Sequence, residues 1–386
     1  MRFDSTLRAA FGGAIAMAVA MGIGRFVYTP LLPAMMQEIP LGASAAGIVA
    51  SANFLGYLVG ALAAAGGWAQ GRELAILRAS LIANVLLLAA MGLTDSVALF
   101  VLLRFVAGVV SAFVIIFVSA VLFARITATG RTELHGFQFL GVGFGIAISA
   151  VMTGALFVGG APWQDGWYVS AALALAGLVA AWLLIERGPA PNAPPAPEPR
   201  LPPSPELRRV IISYGLFGFG YVVTATFITA IIRAEGGGRL LETAAWLIAG
   251  LAVIPSVHGL SAIARRYGPV RAYVLGFLVQ AAGVIASVVL PGAAGPLLGA
   301  ALLGATMVSL TVVAIPLGRL FAPLAPRRCF ALMTAAFGVG QIVGPVVAGY
   351  LAEWTGSFLL PSLLAALTLF AAAAIVWTVD TSPKSP

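Results

Sequence analysis

Long apolar runs separated by short polar segments organise this chain. Each of twelve runs is near or above the roughly 20 residues that a helix needs to cross a hydrocarbon core of about 30 Å. The pattern predicts an all-α polytopic membrane protein with twelve transmembrane helices. The predicted spans are 8–36, 43–66, 74–93, 97–124, 135–158, 165–186, 209–232, 241–263, 271–290, 294–318, 329–352 and 357–378.

The proline-rich segment 187–208 interrupts this pattern after the sixth run, and its composition indicates a semi-extended cytoplasmic linker. It separates 1–186 from 209–386, and we expect a bundle of six helices in each. Four short strings support this division because they recur in the same order at offsets of 196 to 200 residues. The pattern predicts parallel repeats with a binding site between them, near the membrane midplane. The paired strings are Gly22 to Arg25 with Gly218 to Tyr221, Ala50 to Gly60 with Ala249 to Gly259, Leu102 to Arg104 with Leu302 to Gly304, and Gly141 to Gly143 with Gly338 to Gly340.

Composition and charge agree with a membrane protein. The chain is 61% hydrophobic and 9% charged, whereas about 25% of a soluble globule is charged. With the N-terminus inside, cytoplasmic segments hold 17 of the 21 basic residues and seven acids, a net charge of +10, while two basic and six acidic residues leave the other side at −4. This is the positive-inside pattern, which predicts a plasma (inner) membrane protein with both termini cytoplasmic and excludes a nucleic-acid-binding surface.

Two arginines, Arg25 and Arg104, lie inside predicted spans, whereas all 13 carboxylates lie at span ends or in loops. Counted from the outer edges of their runs, the arginines are eleven and seven residues in. At a rise of about 1.5 Å per residue, they lie within roughly 6 Å in depth. An unpaired charge at such depth costs at least about 2.5–3.5 kcal/mol, so we hypothesise that a bound organic anion compensates it. In the alternative, Arg25 snorkels to the outer interface and Arg104 orders helix packing through backbone carbonyls.

Several strings resemble the major facilitator superfamily of transporters. Arg104 followed by small residues to Ala112 resembles the fourth-helix motif, and Gly338 to Gly349 resembles the glycine- and proline-rich eleventh-helix pattern. The strings around Arg25 and Asn53 resemble the YbfB/YjiJ branch. The resemblance implies two six-helix bundles, alternating access, and a central cavity lined by the first and fourth helices. The loop ending in Arg72 and Glu73 departs from the family motif because it has no aspartate, and Glu73 is a possible substitute.

Candidate site residues come from polar side chains on the faces expected to line this cavity. For each of them, interhelical hydrogen bonding is the structural alternative. The substrate-binding candidates are Arg25, Tyr28, Asn53, Tyr57, Arg104, Ser111, Tyr214, Tyr221 and Gln341. The gating candidates are Pro30 and Pro33, expected to loosen the outer end of the first helix, Arg72 and Glu73 in the loop, and Gly108, Gly141, Gly145, Gly340, Gly344 and Pro345, expected to allow close packing and sliding.

We therefore predict a monomeric secondary or facilitative transporter for a small organic anion, with neither a cofactor nor a metal site. Efflux of amphipathic drugs or metabolites is the first alternative, because an aromatic cavity suffices for it. A membrane-embedded enzyme is a remote alternative, since no acid–base pair or nucleophile cluster is evident. His258 is the only histidine in the body of a span. We expect a packing role for it and no carboxylate-based proton relay, which leaves facilitated diffusion, exchange or substrate-borne proton transport.

Overall fold

The computed structural model describes residues 5–66, 68–131, 134, 136–186 and 198–381. The twelve predicted spans are confirmed, since this part of the chain contains twelve helical spans long and apolar enough to cross a membrane. Because the number of spans is even, the first and last described residues, Ser5 and Thr381, lie on the same side of the protein. We call this side the terminal side and the opposite side the far side. The division at 187–208 stays a prediction, and 187–197 lie outside the described residues.

Fourteen α-helices and two short helices of other types build the described spans. The first span contains α1, a π-helix and α2, and the tenth contains α11 and α12, which meet at Val308. The elements are α1 Ser5–Met17, the π-helix Ala18–Ile23, α2 Tyr28–Glu38, α3 Ala43–Ala64, α4 Glu73–Met91, α5 Val97–Thr129, the 3-10 helix Phe137–Phe139, α6 Leu140–Val158, α7 Trp163–Leu184, α8 Pro205–Ala234, α9 Arg239–Tyr267, α10 Pro269–Val289, α11 Ala294–Met307, α12 Ser309–Leu320, α13 Pro326–Thr355 and α14 Leu359–Trp377.

The first span is not a continuous α-helix. After the π-helix, the chain forms a turn over 24–27 before α2 begins. Hydrogen bonds here reach back five residues, from the Gly24 amide to the Val19 carbonyl at 2.8 Å and from the Phe26 amide to the Met21 carbonyl at 3.2 Å. A π-type segment of this kind leaves carbonyl groups without their usual helical donors.

Proline and glycine chemistry explains where this break lies. Pro30 has no amide hydrogen for the Phe26 carbonyl four residues before it, and its ring crowds that carbonyl. Gly22 packs so closely on α6 that a Cβ atom there would lie 2.5 Å from the Cα of Gly145. The expectation that Pro30 and Pro33 loosen the outer end of the helix is wrong in position, because α2 is regular and the irregular backbone precedes Pro30.

The most extensive helix contacts between the two halves, among the described residues, are those of α3 with α13, α6 with α9, and α2 with α8. Glycine lets the backbones approach at the first pair, where a Cβ at Gly47 would lie 2.1 Å from the Pro345 carbonyl oxygen. At the second pair, a Cβ at Gly143 would lie 2.7 Å from the Gly250 carbonyl oxygen. These contacts hold the halves together by close backbone packing, the usual device of membrane helices.

The contact between the first and seventh spans lies on the far side. The Thr29 hydroxyl donates to the Ala225 carbonyl at 2.7 Å, and the Thr229 hydroxyl donates to the Thr29 carbonyl at 2.5 Å. Nearer the far-side ends, Arg233 donates to the Gln37 side chain at 2.6 Å. By contrast, α1 packs against α5, α6 and α7 of its own half. The halves therefore meet at the far side around α2, and α1 stays with the first half on the terminal side.

These contacts also locate the pseudo-two-fold axis that relates the halves. Thr29 with Ala225 and Gln37 with Arg233 are both pairs 196 residues apart, the offset of the Gly22 and Gly218 strings. Equivalent residues touch each other only close to a two-fold axis. The axis therefore passes between α2 and α8. Arg25 and Tyr221 are also 196 apart and precede Thr29 and Ala225 by four residues.

Candidate functional site

Arg25 lies in the break of the first span, with only 5% of its surface exposed. Its guanidinium carbon is 4.6 Å from the ring centre of Phe54 and 4.5 Å from that of Tyr57, both on α3. The Phe26 ring centre is 5.8 Å away. Two guanidinium nitrogens, Nε and Nη2, are buried without a hydrogen-bond partner. Aromatic faces thus attract the cation while leaving its directed N–H groups free.

Arg104 has a different environment because its side chain caps the break. Its Nη1 donates to the Gly24 carbonyl at 3.0 Å and its Nη2 donates to the Arg25 carbonyl at 2.8 Å. The Asn53 amide in turn donates to the Arg104 carbonyl at 3.0 Å. A planar guanidinium fork suits this task because it presents parallel donors to two neighbouring carbonyls. This is the carbonyl-ordering arrangement that the alternative interpretation of Arg104 expected.

The second half presents a neutral aromatic wall opposite Arg25. Phe337 of α13 stacks on Tyr214 of α8 with ring centres 4.5 Å apart and planes 11° apart, and on Tyr221 at 5.7 Å and 1°. The Gln341 amide donates to the Tyr221 hydroxyl, and the Gln341 side-chain oxygen is buried without a partner. The Arg25 guanidinium lies within electrostatic range of the Tyr57 and Tyr221 hydroxyls. The wall therefore offers ring faces and polar neutral groups around one cation.

The predicted substrate-binding residues thus fall into two groups. Arg25, Tyr57, Tyr214, Tyr221 and Gln341 lie near one another where the two halves meet. The others make structural hydrogen bonds. Those are Arg104 and Asn53 at the break, Tyr28, whose hydroxyl donates to the Ala46 carbonyl at 3.1 Å, and Ser111, whose hydroxyl donates to the Gly108 carbonyl of its own helix at 2.9 Å.

The predicted gating glycines pack mainly inside each half. A Cβ at Gly108 would lie 2.0 Å from the Asn53 carbonyl oxygen, and one at Gly141 would lie 1.8 Å from the Ala14 carbonyl oxygen. Gly340 approaches the Gly215 carbonyl oxygen in the same way. Gly145 contacts the first span and Gly344 contacts α8, again within one half, whereas Pro345 lies at the contact between halves.

The loop residues expected to stabilise a gate bond locally. Arg72 donates to the Trp68 carbonyl at 2.7 Å, and Glu73 accepts from the Gly71 amide at 3.0 Å. His258 is exposed on α9, so the expectation of a packing histidine is wrong.

Three important residues were missed in the sequence: Phe54, Phe337 and Thr229. Phe54 and Phe337 are two of 22 phenylalanines, and no spacing distinguishes them from lipid-facing ones. One feature of the sequence could have predicted the contact of Thr229. The missing amide of Pro33 leaves the Thr29 carbonyl without its helical donor, and a hydroxyl near its repeat equivalent is a natural replacement.

Comparison with known proteins agrees with this architecture. Residues 17–377 match a family described as uncharacterised MFS-type transporter YbfB. The chain belongs to this family. It is therefore a membrane transporter of the major facilitator superfamily and not an enzyme. A comparison with curated protein sequences finds no match.

Solved transporters share the fold of this YbfB-type chain. The nucleoside transporter NupG superposes with a TM-score of 0.75 at 12% identity, over 96% of this chain and 100% of that one. A bacterial homolog of the human lysosomal transporter Spinster, in an inward-facing and unoccupied conformation, superposes with a TM-score of 0.72 at 14% identity, over 98% of each chain. At such identities the likeness establishes the fold alone.

Proposed function

We propose that this transporter carries a small organic anion by alternating access and binds it at Arg25. The observation that carries the proposal is the state of that side chain. Its guanidinium is buried between the halves, two of its nitrogens have no partner, and no carboxylate contacts it within the described residues. A carboxylate or similar oxyanion supplies both the missing charge and the missing acceptors.

The free energy of burial favours this assignment. A charged side chain at membrane depth costs at least about 2.5–3.5 kcal/mol unless something compensates it. The ring faces of Phe54 and Tyr57 recover part of that cost through cation–π attraction. They accept no hydrogen bond from Nε or Nη2, so these two donors are available to a ligand.

Arg104 acts in the proposal as a positioning residue. Its two donors bind the carbonyls of Gly24 and Arg25, so it fixes the backbone from which the Arg25 side chain projects. The anion therefore meets one guanidinium fork rather than two.

The positive-inside distribution of lysine and arginine supports cytoplasmic termini in the inner membrane. In that orientation the terminal side faces the cytoplasm, and the contacts of Thr29, Thr229 and Arg233 close the outer side. The described arrangement is then inward-facing. Opening the outer side requires these three hydrogen bonds between α2 and α8 to break, and α2 directly follows the turn that holds Arg25.

Ligand-induced thermal shifts of the purified protein test the proposal. The panel contains organic anions, neutral compounds including uridine, since one structural neighbour is a nucleoside transporter, and amphipathic cations. We expect stabilisation by anions only, loss of that stabilisation in Arg25→Gln, and retention in the control Arg265→Gln, which removes an exposed charge at the end of α9.

Two results would contradict the proposal. Stabilisation by uridine or by amphipathic cations but not by anions would favour nucleoside transport or drug efflux instead. Equal anion stabilisation in Arg25→Gln and in the parent protein would remove Arg25 from the binding site.

A further inference from the structure

We infer that the anion is a planar aromatic monocarboxylate with a hydrogen-bond donor on its ring. This inference rests on the proposed anion site at Arg25 and narrows its substrate class. Three observations carry it: the geometry of the ring wall, the exposure of two rings on opposite halves, and the number of unpartnered polar groups.

Phe337 is held in one orientation by the rings on which it stacks, and its half-buried ring favours flat ligands. Tyr214, Phe337 and Tyr221 lie in nearly parallel planes, with interplanar angles of 11° and 1° to Phe337. Phe217 is buried and packs beside them, tilted by 31° to Phe337. Aliphatic ligands gain from the apolar area of such a wall, but only a planar π-system also gains from offset stacking, about 0.5–1.5 kcal/mol.

Two rings at this site keep accessible surface, and they belong to opposite halves. Tyr57 on α3 and Phe337 on α13 are half-buried, whereas Phe54, Tyr214 and Tyr221 are buried. The residues that follow them, Leu58 and Gly338, touch, with a Cβ at Gly338 only 3.3 Å from a Leu58 methyl carbon. Tyr57 and Phe337 therefore flank one contact between the halves, where a ligand ring reaches both.

Polar groups at the site specify the rest of the ligand. Arg25 is the cation there with two adjacent free donors, Nε and Nη2, whereas Arg104 has only its Nε free because its two terminal nitrogens bind carbonyls. One carboxylate matches one free fork, and a second carboxylate would meet the neutral wall and lose its hydration. The unpartnered Gln341 side-chain oxygen is an acceptor, so a ring hydroxyl or amine completes the match.

Equilibrium binding of five size-related probes to the purified protein tests this inference. The probes are benzoate, 4-hydroxybenzoate, cyclohexanecarboxylate, phthalate and benzamide. We expect benzoate to bind about twofold to twelvefold more tightly than cyclohexanecarboxylate, which is the stacking increment of about 0.5–1.5 kcal/mol expressed as a ratio. We expect 4-hydroxybenzoate to equal or exceed benzoate, and phthalate and benzamide to bind at least tenfold more weakly.

A pair of variants tests whether the ring of Phe337 causes the preference for aromatic over aliphatic carboxylates. Phe337→Leu should reduce the benzoate to cyclohexanecarboxylate ratio to about one while leaving the affinity for cyclohexanecarboxylate unchanged. Phe330→Leu, two turns earlier on α13 and exposed, is the matched control and should retain the ratio.

The outcomes separate this inference from the proposal on which it rests. Equal binding of benzoate and cyclohexanecarboxylate, both lost in Arg25→Gln, overturns the aromatic inference and leaves the anion site standing. Tighter binding of phthalate than of benzoate overturns the single-charge requirement. Absence of binding for every carboxylate, or binding unaffected by Arg25→Gln, overturns the anion site itself.

Discussion

The first and seventh spans are repeat equivalents that meet across the two halves, and their backbones differ. Helix α8 runs without interruption over Pro205–Ala234, whereas the first span is divided by the π-helix and the turn at 24–27. The equivalents of Arg25 and Arg104 in the second half are Tyr221 and Gly304. The half with the interrupted span therefore has an arginine, Arg104, that caps the break, and the half with the continuous span has Gly304 at the equivalent position.

Because only the first span is interrupted, comparing it with the seventh distinguishes features needed for packing of the fold from features specific to the proposed site. The seventh span reaches the same pseudo-axis without a break, so packing of the two halves does not demand one. At Gly304 the space is filled by a neighbouring backbone, since a Cβ there would lie 2.1 Å from the Ala249 carbonyl oxygen. In the proposed site, the break and its cap in the first span are the parts that position Arg25.

Removing the cap should have the largest effect on stability. Arg104→Ala leaves the Gly24 and Arg25 carbonyls without donors, and charge-assisted hydrogen bonds contribute about 1.5–3 kcal/mol each. We expect roughly 3 kcal/mol of destabilisation and loss of ligand binding, measured by reversible denaturation and by thermal shift. Arg104→Lys keeps the charge without the fork. Full stability in Arg104→Lys would mean that charge, and not carbonyl capping, is the contribution of Arg104.

Replacing the other arginine should shift stability in the opposite direction. Arg25→Leu removes an unpartnered buried cation and keeps an apolar side chain against Phe54 and Tyr57. We expect an increase of about 1–3 kcal/mol in the free energy of unfolding, together with complete loss of anion binding.

The equivalent change in the seventh span, Tyr221→Phe, should lower the free energy of unfolding by about 1 kcal/mol because it removes the hydrogen-bond partner of the Gln341 amide. For the first of these two changes, a decrease in the free energy of unfolding of Arg25→Leu would show that Arg25 already has a compensating partner.

Sequence patterns predicted the parts of this molecule that lipid dictates. A hydrocarbon core sets the length and composition of a span, so the twelve runs could be read directly, and the offset of 196 recurs in the contacts of Thr29 and Arg233. The break could only be anticipated from Pro30, and it was placed on the wrong side of that residue. Its position depends on Gly145 and Arg104, which belong to other helices.

The composition of the site was harder to predict for the same reason. Arg25 and Arg104 are both arginines in apolar runs, and their difference in role arises from which carbonyls lie within reach after folding. Phe337 resembles every other phenylalanine of a membrane helix until its stacking partners are known. Close contacts between distant helices decide these roles, and a single sequence does not record them.

Removing one far-side hydrogen bond between the two spans should have a smaller effect, on conformation rather than folding. Thr229→Val deletes the donor that replaces the amide missing at Pro33. A hydrogen bond contributes about 1 kcal/mol, which changes the ratio of open to closed far side about fivefold. Distance distributions between spin labels at the far-side ends of α2 and α8 measure that ratio. Thr224→Val is the control, because the Thr224 hydroxyl has no partner, and an equal shift there would contradict the assignment.

The smallest expected effect concerns the segment that leads into the seventh span. Glu198 accepts hydrogen bonds from the Arg327 and Arg328 amides at 3.0 Å each and from the Arg327 side chain at 2.9 Å, at the start of α13. Desolvation acts to raise the pKa of the Glu198 carboxyl, but these hydrogen bonds outweigh it and hold the pKa below its usual range. Because the pKa is lower in the folded state, the contact is complete above the ordinary glutamate value of about 4.3 and is lost as the pH falls through the lowered pKa.

A spin label attached at Pro203→Cys, in a protein that also carries Cys329→Ser, should be immobile at neutral pH and mobile in acid. In Glu198→Gln the same label should be mobile at both pH values. Equal immobility of the label in Glu198→Gln would mean that α8, and not this carboxylate, orders the segment.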